Sequence, residues 1–312
     1  MTRVLPAGPE AIAAAAARIA CADLVAFPTE TVYGLGADAG DPRAVAKIYA
    51  AKGRPAFNPL IAHVADIDAA CREARLPPAA LRLAEAFWPG PLTLVAPAAP
   101  GGGVCDLARA GLASVALRVP AHPVALALIA AAGRPIAAPS ANRSGHVSPV
   151  TAAHVVADLE GRVDLVVDGG RCAAGLESTI VSFLGERPAL LRPGALARDD
   201  IERVLGSPLA AAFGDVVAPG MTAAHYAPNA RLRLDATSLA ADEFGLDFGG
   251  RLPGAALDLS PSGDLVEAAA NLFAFLREID ARGVQRAAVA PIPVEGLGEA
   301  IRDRLRRAAV RR

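Results

Sequence analysis

Cations and hydroxyls gather in a few short stretches of a chain otherwise rich in alanine: AKGRPAFNPL, SVALRVP, PIAAPSANRSGHVSP, GLESTIVSF and ALLRPG. Lys52 and Arg54, separated by one glycine and followed by proline, have the spacing to grip phosphate oxygens through charge-assisted bonds. The same residues also suit a helix C-terminus, with Gly53 as a left-handed cap and Lys52 against the dipole. Arg118 sits in mid-strand among Val, Ala and Leu, with no acid close in sequence. Burying it is costly unless it is paired, and a ligand carboxylate or phosphate would supply the pair.

The other polar positions carry two readings each. His63 in PLIAHV is either a satisfied core histidine or a ligand contact at a strand end. Ser140, Asn142, Ser144 and Ser148 suit phosphate, ribose or base edges, while Ser148–Pro149 with Thr151 equally suits a helix cap. Glu177, Ser178 and Thr179 open one apolar run and Arg192 closes the next. Together these residues place cations and hydroxyls around one sheet edge with few acids or bases. Such a set binds and orients an anionic substrate rather than attacking it covalently.

Common signatures are absent. There is no GxxxxGK[ST] loop, no GxSxG elbow, no CxxC pair and no HxxxH spacing, so a P-loop, a serine hydrolase and a protein-held zinc are all disfavoured. GLGADA at 34–39 formally matches a dinucleotide fingerprint, yet Asp41–Pro42 stands where the following helix would already be running.

The elements that must position these residues alternate along the first two thirds of the chain. Periodicity predicts helices over 9–20, 41–51, 78–87, 123–132, 151–158 and 198–205. It predicts strands over 23–27, 59–64, 91–96, 113–119, 135–139 and 163–167, then a hairpin of TIVSF and PALLR. Mixed βα units and hairpins imply an α/β fold with a mixed sheet. Residues 206–228 hold three prolines, three glycines and no period, and read as a linker. Beyond it, strands RLRL, AALDL and AAVAPI with helices 264–281 and 298–308 form a small α/β unit.

Bulk properties fit a globular protein. The chain has 312 residues, 53% of them hydrophobic and only 4% aromatic, and a formal net charge of −1. That charge gives no general pull toward nucleic acid or anionic membrane. The most apolar long stretch, 112–132, is broken by Arg118, Pro120, His122 and Pro123. Cys21, Cys71, Cys105 and Cys172 are scattered and read as reduced, mostly buried thiols of a cytoplasmic protein.

FPTETVYGLG, the Lys52-Gly53-Arg54 triplet with NPL, WPGPLTLV, VALRVP, APSAN, and ESTIVSF with LLRPG stand here in one order. In that order they resemble the YrdC-type threonylcarbamoyl-AMP synthases, and the HYAP stretch with the unit after it resembles their long, two-domain form. The resemblance implies a YrdC-like open twisted mixed sheet over 1–205, a linker with an HYAP lid over 206–228, and a small Rossmann-like α/β domain over 229–312. It implies condensation of L-threonine, bicarbonate and ATP to threonylcarbamoyl-AMP and pyrophosphate. The product would serve the threonylcarbamoyl modification of the tRNA adenosine beside the anticodon, through a downstream transferase complex.

Carried over by position, the resemblance makes Lys52 and Arg54 the catalytic phosphate binders. It places Arg54, Asn58, Ser114, Ser140, Asn142, Ser148, Arg192 and Tyr226 on the ATP side. Thr31, His63, Arg118, the backbone at Ala138 and Ser178 would form the threonine and bicarbonate pocket. Mg²⁺ would arrive with the triphosphate rather than on protein ligands. Thr29, Thr31 and Tyr33 are expected to line one pocket wall, with Gly34 and Gly36 turning the loop tightly beside it. Two other readings stay open: an RNA-binding module, with the basic tail RDRLRRAAVRR as a contact or a solvated helix end, and transfer from carbamoyl phosphate. Direct tRNA binding is expected to be weak or absent.

Overall fold

The computed structural model describes residues 2–211 and 226–310. The first sheet contains β1 (Arg3–Pro6), β2 (Val25–Phe27), β3 (Gly34–Asp38), β4 (Ile61–His63), β5 (Leu92–Pro97) and β6 (Ser114–Arg118). It continues with β7 (Ile136–Ala137), β8 (Leu165–Asp168), β9 (Thr179–Ser182), β10 (Ala189–Arg192) and β11 (Ala210–Ala211). The strands bond in the order β1-β8-β2-β3-β7-β4-β6-β5-β9-β10-β11, mixed as the sequence pattern implies. Around them lie α1 (Pro9–Ala20), α2 (Pro42–Lys52), α3 (Ile67–Glu73), α4 (Pro78–Phe87), α5 (Pro123–Ala132), α6 (Ala152–Leu159) and α7 (Arg198–Leu205).

Local chemistry sets the helix limits. Asp41 caps α2 by accepting from the Arg43 N–H, Pro42 starts it, and Gly53 ends it in the left-handed region at φ 62°. Thr151 caps α6 through the His154 N–H, and Gly133 closes α5 at φ 63°.

Coverage of the first sheet is uneven. On one face α1 and α5 press Ala15, Ile19, Leu128 and Ile129 onto Val25, Phe27, Ile136 and Val167, their small alanines allowing close approach. Cα partnering of His63 with both Ile136 and Arg118, combined with side-chain alternation, puts Ile61, His63, Ala116 and Arg118 on that same face. There the apolar floor shrinks to Ile61, Val95, Ala116 and Ile180, a cluster with no helical residue among the described ones. A trough therefore opens beyond the α1–α5 layer, and charged strand side chains can reach into it.

Several elements differ from the periodicity reading. The glycines of GLGAD do not turn a loop: they lie inside β3, paired antiparallel with β2. A Cβ on Gly36 would stand 2.6 Å from Phe27 Cε1, so glycine serves a close approach of the ring. Strand β1 is a short, largely exposed edge whose RVLP gives no alternation to read, and α3 was also unread. Strand β11 pairs with β10 inside the stretch expected to be a linker, while residues 212–225 of that stretch lie outside the described residues. Of the cysteines, Cys172 alone is buried; Cys21 and Cys71 are exposed and Cys105 is intermediate.

The second sheet is parallel throughout, with β12 (Arg231–Arg233), β13 (Phe244–Asp247), β14 (Leu257–Asp258) and β15 (Arg286–Val289) in the order β12-β15-β13-β14. Its helices are α8 (Leu265–Ala281) and α9 (Gly298–Ala309). Helix α8 docks on the first sheet's loops. Arg277 Nη2 pairs with Asp158 Oδ2 at 2.9 Å and also donates to the Val147 carbonyl. Gly175, at φ 67°, meets α8 so closely that a Cβ would lie 2.5 Å from Ala270 Cα.

Gly175→Ala combines a disfavoured φ with a clash against backbone, so it is expected to cost about 1–3 kcal/mol. A lowered urea unfolding midpoint checks this; a midpoint equal to wild type contradicts the close junction.

Candidate functional site

His63 and Arg118 end the neighbouring parallel strands β4 and β6 and face the trough together. Sequence offered Arg118 no nearby acid, and the fold corrects this. Glu30, from the loop between β2 and β3, brings Oε1 to 2.6 Å of Nη2, with side-chain exposures of 5% for Arg118 and 14% for Glu30. Arg118 Nε also donates to the Gly90 carbonyl at 3.2 Å. The ion pair meets off the hydrogen-bond axis, so Nη2 and both Glu30 oxygens lack a directional bond among the described residues. The guanidinium is thus held by a carboxylate and a carbonyl, with donor capacity left for an incoming carboxylate.

His63 is 3% exposed, and its Nδ1 finds no hydrogen-bond partner among the described residues. Burial, with Arg118 beside it, lowers its pKa to about 3, so the imidazole is neutral at physiological pH. The buried Thr29 and Thr31 hydroxyls lie 2.7 Å apart, and Thr29 Oγ1 donates to the Val32 carbonyl, shaping the loop that carries Glu30. Tyr33, expected on the same wall, instead points away and donates to the Gly170 carbonyl at 2.7 Å.

One cavity collects many of the sequence-derived positions. Thr31, His63, Arg118, Ala138 and Ser178 line it, and so do Arg54, Ser140, Arg192 and Tyr226. Thr29, Gly34 and Glu177 join the polar lining, and Val32, Ile61 and Pro139 add apolar surface. Lys52, Asn58, Ser114, Asn142 and Ser148 are not among the lining residues.

Those five act from behind or from the ends. Lys52 Nζ donates to the carbonyls of Ser140 and Asn142 at 2.5 Å each, fixing the loop that presents Ser140. Arg54 donates to the carbonyls of Asn58 and Pro59 at 3.1 and 2.8 Å. Neither cation has a carboxylate within ion-pair distance among the described residues. Burial first, then the Arg54 charge, lowers Lys52 well below the usual lysine range; burial brings Arg54 to about 10. Both are poised to gain from an anion. Asn142 Nδ2 bonds the carbonyls of Arg143 and His146, and the buried Oδ1 atoms of Asn58 and Asn142 have no partner among the described residues. Ser114 starts β6 on the Arg118 face, at the far end of the strand.

The remaining wall is a charged relay. Arg192 donates to the Ser178 carbonyl at 2.8 Å, and Ser178 Oγ lies 2.7 Å from Thr93 Oγ1. Ser148 Oγ donates to Glu177 Oε1 at 2.5 Å, and Arg304 Nε donates to Oε2 at 2.8 Å. Burial alone would raise the Glu177 carboxyl, but Arg304, Arg192 and the Ser148 bond hold it at about 2. Sequence reasoning weighed Glu177 without choosing it and missed Glu30 altogether. A glutamate between the two threonines of PTET was the available signal.

The tail also departs from a solvated helix end. Arg302 donates to the Ile292 carbonyl, Arg307 pairs with Asp303, and Arg304 is fully buried.

Comparison with known proteins follows the same outline. A family model for the Sua5, YciO and YrdC proteins, described as "Telomere recombination", matches residues 19–194. A second, described as "Threonylcarbamoyl-AMP synthase, C-terminal domain", matches residues 196–310. The threonylcarbamoyl-AMP synthase of Pyrococcus abyssi is 43% identical, over 92% of this chain and 90% of its own. The chain belongs to the threonylcarbamoyl-AMP synthase family. The Bacillus subtilis member is 42% identical, over 96% of this chain and 92% of its own. The crystal structure of P. abyssi Sua5 complexed with L-threonine superposes with a TM-score of 0.90 at 39% identity, covering 99% of this chain and 97% of that one. Escherichia coli YciO, at 20% identity and a TM-score of 0.56 over 62% of this chain, shares the fold of the first sheet.

The buried neutral imidazole of His63 makes stability depend on pH. Its value falls from 6.5 unfolded to about 3 folded, so the stabilisation is complete above pH 6.5 and is lost as pH falls toward 3. One such group contributes a slope of up to about 1.4 kcal/mol per pH unit. His63→Asn should flatten the stability curve by one proton in that window relative to wild type, read by denaturant unfolding at several pH values. An unchanged slope contradicts the neutral buried ring.

Proposed function

We propose that this family member condenses L-threonine, bicarbonate and ATP to threonylcarbamoyl-AMP and pyrophosphate, acting as a nucleotidyltransferase for the threonylcarbamoyladenosine modification of tRNA. The observation that carries this reading is the cavity's polarity. One end presents a buried arginine with a neutral histidine beside it; the other is framed by Arg54, Arg192 and the loop held by Lys52. The first end fits an amino-acid carboxylate and the second a polyphosphate. The reported threonine complex of the P. abyssi relative supports the assignment.

In this mechanism the chain's work is placement. Arg118 takes the threonine carboxylate, and Thr31, His63, Ser178 and the backbone at Ala138 fix the amine and bicarbonate. Neutral His63 orients by hydrogen bonding without adding charge. Threonine's amine and bicarbonate join as a carbamate with loss of water. A carbamate oxygen then attacks the α-phosphorus, and the bond to pyrophosphate breaks. Arg54 and Arg192 neutralise the phosphates, with the Lys52 charge behind the Ser140 loop, and Ser140 and Tyr226 contact the rest of ATP. Asn58, Asn142 and Ser148 support that wall from behind, and Ser114 stands at its far end. Holding the reactants together and presenting fixed charge can each contribute several kcal/mol.

Mg²⁺ would arrive with ATP and would offset charge on the phosphates. The donor set fits that route: the cavity carboxylate Glu177 is taken by Arg304, and the described residues hold no group of three His, Cys, Asp or Glu suited to a metal. We assign residues 1–205 to catalysis, 206–228 to the linker and 229–312 to the small α/β unit. No helix among the described residues is long and apolar enough to cross a membrane, and the cytoplasm is the proposed location.

Pyrophosphate release that needs both threonine and bicarbonate is the expected result. Release without either, or release supported by carbamoyl phosphate in place of bicarbonate, contradicts the reading. Arg118→Ala should raise the threonine KM roughly ten- to a hundredfold, from a lost charged pair of about 1.5–3 kcal/mol. An unchanged threonine KM removes Arg118 from the pocket.

A further inference from the structure

Arg304 lies on α9, in the second unit, yet its side chain is wholly buried against the cavity of the first. Besides the ion pair of Nη1 with the neighbouring Asp303 at 2.5 Å, its guanidinium makes three attachments at the cavity. Nε pairs with the Glu177 carboxylate at 2.8 Å, Nη2 donates to the Pro193 carbonyl at 3.0 Å, and the group's carbon lies 5.0 Å from the Tyr226 ring centroid. Glu177 and Tyr226 both line the cavity, and Pro193 follows Arg192, which lines it too. One cation from the last helix therefore touches three points around the nucleotide end.

Tyr226 makes that grip informative. Its backbone is left-handed at φ 63°, a conformation that costs a non-glycine residue energy and persists where surroundings enforce it. Part of the surroundings comes from the second unit. The Phe273 ring of α8 stacks on Tyr226 at 5.5 Å with an interplanar angle of 24°, and Arg304 lies near the ring as a cation–π partner. Remove Arg304 and two effects follow together: Glu177 becomes a buried carboxylate without its ion-pair partner, and Tyr226 loses one of the contacts that hold its strained backbone.

We propose that Arg304 is a positioning residue that latches α9 to the ATP end of the cavity, holding Tyr226 and Glu177 in the geometry the nucleotide meets. It touches no substrate; it acts through those two side chains and the Pro193 carbonyl. The second unit thereby has a defined task in catalysis, setting ATP affinity while leaving the threonine end alone. At that end Arg118, His63 and Thr31 come from β6, β4 and the β2–β3 loop, away from the attachments of Arg304, and Ser178, the neighbour of Glu177, is where the two ends adjoin. The inference rests on the assignment of the Tyr226 end to ATP made above.

The test uses the full chain with Arg304→Lys, which keeps the charge but loses the planar fork, and Arg304→Met. Arg304→Lys should raise the ATP KM at least tenfold, while threonine affinity measured by calorimetry without ATP stays within twofold of wild type. Adding Arg304→Lys to Tyr226→Ala should raise ATP KM by less than twofold beyond Tyr226→Ala alone, because both changes break one latch. Arg304→Met should show the ATP defect more strongly; if it does not fold, the lysine variant carries the test. An ATP KM within twofold of wild type in Arg304→Lys overturns the latch. Equal weakening of ATP and threonine, or fully multiplicative effects in the double variant, overturns it as well. Failure of the proposed function is separate: wild type itself would release no threonine-dependent pyrophosphate.

Discussion

The fold buries more positive than negative charge around one cavity. Lys52, Arg54, Arg118, Arg192 and Arg304 are each less than a tenth exposed. Among the described residues three carboxylates answer them at close range, Glu30 for Arg118, and Glu177 and Asp303 for Arg304. Lys52 and Arg54 rest on backbone carbonyls, which solvate a cation without neutralising it. Burial lowers both of their pKa values, so each carries a desolvation cost that an anion would relieve. A site held in that condition binds a polyanion by completing its own electrostatics. No protein nucleophile is required of it.

That charge can sit where it does because the first sheet is left half covered. Helices α1 and α5 dock on one stretch of a face and stop, and the strands beyond them present Ile61, Ala116 and Ile180 as a thin apolar floor. Strand ends then deliver His63 and Arg118 to one side, while the α2 C-terminus delivers Lys52 and Arg54 to the other. The left-handed Gly53 at that terminus lets one helix end carry both buried cations. The helix-end reading of KGR holds, and the proposed phosphate grip is compatible with it.

Much of this was legible in the sequence, and the gaps have physical reasons. Periodicity found most helices to within a residue or two because capping residues such as Asp41, Thr151 and Gly133 mark their limits. It missed β3 because the strand is written with two glycines, which local propensity assigns to a turn; the reason for Gly36 is a ring from the neighbouring strand. Burial of Arg118 was foreseeable from its apolar neighbours, but Glu30 was not, since the pair is made by tertiary structure alone. Arg304 was hidden for a different reason. In a run of arginines, one buried member looks like the rest until α9 is packed against the cavity.

The central claim is that Arg118, held by Glu30 and Gly90, is a preset receptor for the substrate carboxylate. A crystal structure with L-threonine and a non-reactive ATP analogue tests it most directly. The account predicts the threonine carboxylate within about 2.7–3.2 Å of the Arg118 guanidinium, with Glu30 and the Gly90 carbonyl still holding it and the triphosphate against Arg54. A carboxylate bound elsewhere, or an Arg118 that leaves Glu30 to reach it, would contradict the account.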